Sequence, residues 1–395
     1  MEKKRIITYM ATVIVSVILL LIGHKVAMSN YPTSSMPEQM VEKAKVISII
    51  DSFTEDFDLG NGAIVSSVTT QFKALILTGE EKGTEIYAIH VADWFVPYDT
   101  KSLEVGDRIL IMKDPDAGYL PAYSFAGYSR TDGLIVLAVA FVVLLMIFGR
   151  IKGFNTIVSL ILTLTAIFAV FIPSVLSGKN LYLSSILICA FITLMTLMIV
   201  SGPERKTVSA VLGCLGGLLV SGLFTVIMGG VLKLTGMVSE ESIYLTYLDI
   251  PSPIDLRAVI FASIIIGALG AVMDVSMSIS SSLKEISDKL NGTSFAELFK
   301  SGITIGKDIM GTMANTLILA YIGSSLSVVL LIVAGNSSLR LMLNRELIVV
   351  EILQALVGSL GILATIPLTA LISGLVYRHK NTNNTLVEIN NNSEK

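Results

Sequence analysis

Residues 258–280 read Ala258-Val-Ile-Phe-Ala-Ser-Ile-Ile-Ile-Gly-Ala-Leu-Gly-Ala-Val-Met-Asp-Val-Ser-Met-Ser-Ile-Ser280, with one charged side chain, Asp274. Crossing the ~30 Å hydrocarbon core of a bilayer takes about 20 predominantly apolar helical residues, and this stretch meets that length. Seven further stretches do the same: Ile6–Ile22, Gly133–Gly149, Phe154–Leu176, Leu181–Val200, Val208–Leu232, Ile309–Ala334 and Leu347–Val376. Hydrophobic residues make up 53% of the 395-residue chain and charged residues only 15%, against about 25% charged in an ordinary soluble domain; mean hydropathy is +0.77. That composition excludes a disordered chain, a coiled coil and a typical cytosolic enzyme. It predicts an α-helical polytopic membrane protein of about eight transmembrane helices, with a small extracytoplasmic β-rich insert after the first helix.

Loop charges set the expected orientation, because Lys and Arg concentrate on the cytoplasmic side. Lys3-Lys4-Arg5, Arg150 with Lys152, Arg205-Lys206, the segment from Lys284 to Lys307, and Arg378 with Lys380 all fall on one side when spans alternate; the other side holds only scattered cations such as Lys179 and Arg257. Both termini are then cytoplasmic. The predicted domains are an anchor over 1–23, an extracytoplasmic domain over 24–131, a seven-helix membrane domain over 132–380 and a polar tail over 381–395. The first apolar stretch reads as a permanent helix, since Ala27-Met28-Ser29 is a poor signal-peptidase site. From Lys25 to Arg130 there are nine basic and fifteen acidic residues, a net of −6. An acidic outer domain on a mildly basic membrane body has no use for nucleic acid.

Within the insert, Lys45 to Ile50, Phe72 to Leu77, Glu85 to Val91 and Arg108 to Met112 read as short strands, broken at Gly60, Gly62, Gly79, Gly83 and Gly106. A small barrel or sandwich follows, with an OB-like barrel as one form. His90-x-x-Asp93-Trp94 offers a ligand pair at a strand end, weighed against a strand-edge His beside an anchoring Trp. Glu55, Asp56 and Asp58 lack the spacing of a calcium loop and read as a solvated turn. Cys189 and Cys214 sit in apolar runs and read as small buried hydrophobes. No metal site, cofactor or catalytic residue is expected.

An ionisable residue inside a span is a functional hypothesis by default, since its burial in hydrocarbon is costly. Asp274 is the clearest case, being mid-helix, with Ser278 and Ser281 continuing its face and Gly267 and Gly270 opening close approach for a second helix. Asp308, Thr312 and Asn315 are spaced i, i+4, i+7 on one face of the next span, which allows a cluster of Asp274, Asn315 and Thr312; Asp308 reads equally well as a helix N-cap. Glu351 opens the last span as a buried or an interfacial carboxylate, with Gln354, Gly358 and Gly361 on its face, and Pro367 and the glycines mark expected break points. Residues 283–305 read as two short amphipathic pieces parted at Asn291-Gly292, suited to the inner membrane surface, a gate or a docking segment.

Gly267-Ala-Leu-Gly-Ala-Val-Met-Asp-Val-Ser-Met-Ser-Ile-Ser-Ser-Ser-Leu283, Ile305-Gly-Lys-Asp-Ile-Met-Gly-Thr-Met-Ala-Asn-Thr-Leu-Ile-Leu-Ala-Tyr321, and Glu351 with Gly358-Ser-Leu-Gly-Ile-Leu-Ala-Thr-Ile-Pro-Leu-Thr-Ala370 resemble the YibE/F-like family of bacterial multi-pass membrane proteins. The resemblance covers about 130–380 and implies a bacterial plasma membrane location; it carries no binding residues across.

The expected function is a transporter or permease for a cation or small solute, using Asp274, Ser278, Asp308, Thr312, Asn315 and Glu351. The competing reading is a membrane-anchored sensor or assembly factor whose outer domain binds a partner. The expected surroundings are the lipid bilayer, with a homo-oligomer or partner subunit left open. No His-Glu-x-x-His, Gly-x-Ser-x-Gly or P-loop pattern is present, so neither an enzyme nor an ATP-driven pump is expected. Reporter fusions after Lys152, Arg205 and Lys380 should report cytoplasm, and a fusion between Ser35 and Tyr128 the outside; an external Lys380 overturns the eight-span topology.

Overall fold

A computed structural model describes residues 2–31, 41–58, 64–92, 102–113, 122–248, 250, 252–290, 293–334 and 338–378. The chain forms two compact units, residues 34–144 and residues 1–33 with 145–395.

The first unit is built on a closed five-stranded barrel: β1 (Val41–Asp58), β2 (Ile64–Ile76), β3 (Glu85–Ala92), β4 (Arg108–Lys113) and β5 (Tyr123–Tyr128). The order around the barrel is β1-β2-β3-β5-β4, antiparallel except for the β3–β5 pair. Alternate residues point inward, so Ala44, Val46, Phe72, Ala74, Ile76, Ile86, Ala88, Ile109 and Ile111 form its core. Gly79 and Gly83 take φ of 84° and 89° in the β2–β3 connection, a region costly for any side chain. β1 is far longer than its sequence suggests. Its distal half pairs only with β2, from Asp51↔Gln71 to Asp58↔Ile64, and beyond Val68, where β3 ends, the two strands form a two-stranded ribbon. That half buries no face and so carries no alternation to read. Glu55, Asp56 and Asp58 therefore lie on a strand and not in a turn, and Asp56 accepts a hydrogen bond from Ser66 across the ribbon at 2.5 Å. β5, Tyr-Ser-Phe-Ala-Gly-Tyr, has no apolar run and is missed by pattern.

The second unit is helical. Besides α1 (Glu2–Ala27), it contains the later part of α2 (Thr131–Thr165), which continues through a π-helical turn (Ala166–Phe171) into α3 (Ile172–Leu176). Then come α4 (Leu181–Ser201), α5 (Arg205–Val231), α6 (Glu240–Thr246), α7 (Leu256–Lys289), α8 (Phe295–Ser324), α9 (Leu326–Ala334), α10 (Leu339–Met342) and α11 (Glu346–Arg378). Among the described residues, six helices are long and apolar enough to cross a membrane. One of them, Thr131–Leu176, is 46 residues long and has non-helical geometry at Arg150, φ 47° and ψ −123°.

α11 is the helix around which α5, α7 and α8 pack. Its closest neighbour is α5, and the contact is made of glycines and hydroxyls. A Cβ on Gly213 would lie 2.0 Å from Thr369 Oγ1, one on Gly217 1.8 Å from Thr365 Oγ1, and one on Gly361 2.1 Å from Ser221 Oγ. Gly213, Gly217 and Ser221 are spaced by four, as are Gly361, Thr365 and Thr369, and the pairs run in opposite order, so the helices are antiparallel. α8 also runs against α11, with Gly302 on Ala370, Gly306 on Ile366 and Leu317 on Gly358.

This packing corrects two expectations. α11 runs unbroken from Glu346 to Arg378 with Pro367 inside it; Gly358 and Gly361 serve close approach and are not break points. The amphipathic pieces around 283–305 are the last turns of α7 and the first of α8. The latter starts at Ser294, whose side chain and that of Glu297 form a reciprocal capping box.

Gly217→Leu should separate α5 from α11 and lower membrane abundance and thermal midpoint, overpacking of this kind costing ~1–3 kcal/mol or more. Gly229→Ala, with nothing within 4 Å of the added carbon, should leave both unchanged.

Candidate functional site

Most of the circumference of α7 is buried, from Leu256 to Leu283. One narrow stripe is not. Ser263, Gly267, Gly270, Asp274 and Ser278 are exposed, and steps of three and four residues place them on a single line. The rest of the helix packs against α4, α5, α8 and α11. The stripe is narrow and flanked by the half-buried Val259, Ile266, Ala271 and Met277. Its residues are small or polar, and no side chain fills the space above Gly270.

At its upper end the stripe meets two other helices. A Cβ on Gly267 would lie 2.7 Å from the Tyr321 hydroxyl of α8 and 3.3 Å from the Gln354 amide nitrogen of α11. The Tyr321 hydroxyl oxygen is buried beside the Gln354 side-chain amide. Glu351, half-buried, lies three residues before Gln354 on the same side of α11. Asp274 is seven residues further along the stripe, about 10 Å at 1.5 Å per residue. Gly267, Gln354 and Glu351 stand out in the sequence. Tyr321 was missed: it belongs to the inward row Met313, Leu317, Tyr321, legible only once α8 is phased from its cap at Ser294.

The expected cluster of Asp274 with Asn315 and Thr312 does not form. The inward side of α8 carries Leu298, Gly302, Gly306 and Leu317, with Met310, Met313 and Tyr321 partly buried beside them. Asn315 is two residues from both Met313 and Leu317, about 200° round the helix. Asp308, Thr312 and Asn315 are accordingly exposed on the opposite face, and the Thr312 hydroxyl donates to the Ile309 carbonyl at 2.9 Å. Asp308 is not an N-cap, since α8 begins more than three turns earlier.

The helix ends are tied by charge. At one end Glu346 accepts hydrogen bonds from the Thr235 and Gly236 amides at 2.6 Å and from the Thr235 hydroxyl at 2.7 Å, fixing the α5–α6 loop to the start of α11. At the other, Glu204 receives Lys284 at 2.7 Å and Lys206 at 3.4 Å. The hydrogen bond from Lys284 holds the Glu204 carboxyl below the usual carboxylate range, with the Lys206 charge adding to it.

Among the described residues no group of His, Cys, Asp and Glu is arranged to hold a metal ion. His90 is buried in the barrel, its ring edge-on to Phe125 at 4.4 Å, and not at a strand edge; Asp93 and Trp94 lie outside the described residues. Cys189 and Cys214 are buried and unbridged.

No curated protein matches this chain. No solved structure matches it either. The family model described as YibE/F-like protein matches residues 137–379, which run from the second turn of α2 past the end of α11, and the chain therefore belongs to the YibE/F-like protein family.

Proposed function

We propose that this protein is a transporter or permease for a cation or small solute in the bacterial plasma membrane, with the stripe on α7 as its polar path. One observation carries the reading: Asp274 is exposed in a stripe of small and polar residues on a helix that is otherwise largely buried. Lipid tails offer a carboxylate nothing, whereas a water-filled crevice does. The Tyr321–Gln354 pair with Glu351 forms the upper station and Asp274 with Ser278 the lower. With no Lys or Arg among the exposed stripe residues, a proton or cation suits the path better than an anion. Asp308, Thr312 and Asn315, on the far face of α8, are left outside it.

Eight spans remain the proposed count. The 46-residue helix Thr131–Leu176 would measure about 69 Å, more than twice the ~30 Å core, and its break at Arg150 supports two crossings. α8 with α9 supplies a further one. The antiparallel pairs α5–α11 and α8–α11 suit strict alternation, with both termini cytoplasmic and the barrel outside.

The second reading, a sensor or assembly factor, is favoured by the barrel. Its strand order suits an OB-like fold, and its ribbon leaves Phe53 and Phe57 exposed, at 40% and 49%, as a partner surface would.

A flux assay in proteoliposomes over a panel of cations and small metabolites separates the two. Asp274→Asn should abolish flux with membrane abundance nearly unchanged, and Asp274→Glu should keep part of it. Tyr321→Phe should lower flux several-fold with the thermal midpoint little changed, because it removes one hydroxyl beside Gln354 and keeps the ring. Native flux in Asp274→Asn overturns the α7 path, and absence of flux in the native protein across the whole panel removes the transporter reading and leaves the partner-binding one.

A further inference from the structure

A groove of about 540 Å³ opens between α1, the π-helical turn with α3, and α4, away from the α7 stripe. Small-molecule sites span ~300–1,000 Å³, so its size is that of a ligand site. Its walls are hydrocarbon along most of their length, among them Leu19 and Ile22 of α1, Phe171 of the π turn, and Leu187 and Phe191 of α4. One end is polar, with Lys179 and Asn180. The Lys179 amine donates to Ser29 Oγ at 3.1 Å and has no carboxylate within ion-pairing distance among the described residues. Asp255, which shares a neighbouring cleft with it, is committed to capping α7 through the Arg257 and Ala258 amides at 3.0 and 3.3 Å.

The groove exists because α1 is held off the body. Of the described side chains of α1, only Ser16, Leu20 and Ala27 are buried. Two ties set its distance: His24 Nδ1–H donates to the Ala169 carbonyl of the π turn at 2.7 Å, and Ser177 Oγ donates to the Ala27 carbonyl at 2.5 Å. Gly23 comes close to Val170, a Cβ there lying 3.0 Å from Cγ1. A slot with apolar walls, in helices long enough to cross a membrane, is filled by hydrocarbon in a bilayer. A lone cation at its mouth selects what that hydrocarbon is attached to.

We infer that the groove between α1 and α4 binds a glycerophospholipid with an anionic headgroup, its acyl chain lying along Leu187 and Phe191 and its phosphate meeting the Lys179 amine. The lipid then acts as a wedge that fastens the loosely held α1 to the helical body.

The test uses the full-length protein in phosphatidylcholine vesicles doped with either phosphatidylglycerol or phosphatidylcholine carrying a diazirine in the acyl chain, with adducts mapped by mass spectrometry. Adducts of the phosphatidylglycerol probe should concentrate on α1, residues 166–176 and α4. They should exceed those of the phosphatidylcholine probe there by roughly fivefold, the size of one lysine's attraction to an anionic lipid. Lys179→Gln should bring the two probes level while leaving some adduct in the groove. Leu187→Trp, which fills the slot, should remove both adducts there. Equal labelling by the two probes in the native protein, or a preference that survives Lys179→Gln, overturns the headgroup assignment. Labelling spread evenly over all apolar helices, or unchanged by Leu187→Trp in protein of native elution volume, overturns the site.

Discussion

The close approach of α5 and α11 is the constraint on which the helical unit depends. Between helices in lipid there is no hydrophobic driving force, since the tails are as apolar as the side chains; association relies on packing and on small residues that let backbones come together. Gly213, Gly217 and Ser221 meet Thr369, Thr365 and Gly361 with no room for one added carbon. Thr365 donates to the Gly361 carbonyl of its own helix at 2.8 Å and Ser221 donates across to the Val357 carbonyl of α11 at 3.3 Å, while the Thr369 hydroxyl is buried at the same contact. Such an interface stays polar enough to be specific without exposing polar groups to lipid.

Everything around α7 follows from that pair. With α5 and α11 locked together, α7 settles against both. Its Ile260 and Ile264 join Val350, Leu353 and Val357 of α11, and Phe261 and Ile265 close over Gly222 of α5. α4 and α8 occupy further sectors of its surface. What remains is the single line of Ser263, Gly267, Gly270, Asp274 and Ser278. Glycine at two of the five positions keeps that line open, because a larger residue at Gly267 would run into Tyr321 and Gln354. Ser263 on this line returns its hydroxyl to the Val259 and Ile260 carbonyls of its own helix, an option a carboxylate lacks. The carboxylate is therefore better explained by function than by packing, which has polar residues enough in Ser276 and Ser280, both fully buried and hydrogen-bonded to backbone carbonyls.

The sequence by itself determined the membrane character, the position of most apolar helices, the place of the β-rich insert and the isolation of Asp274. Each of these rests on local composition or on a charge placed where hydrocarbon is expected, and both are readable one residue at a time. It did not determine where helices end: α7 and α8 run well beyond their apolar cores because Lys284, Lys289 and Glu297 extend them into water with good helix propensity and a cap. The length of β1 was equally hidden, as a ribbon paired on one side has no buried face to impose a pattern. Only the tertiary structure decided which way α8 faces, and so turned Asn315 and Thr312 away from Asp274 and Tyr321 toward Gly267. An i, i+4, i+7 spacing says that residues share a face; the partner that covers that face is fixed by glycine-sized notches on another helix, far along the chain, as Gly358 is for Leu317, which no local reading of the chain can align.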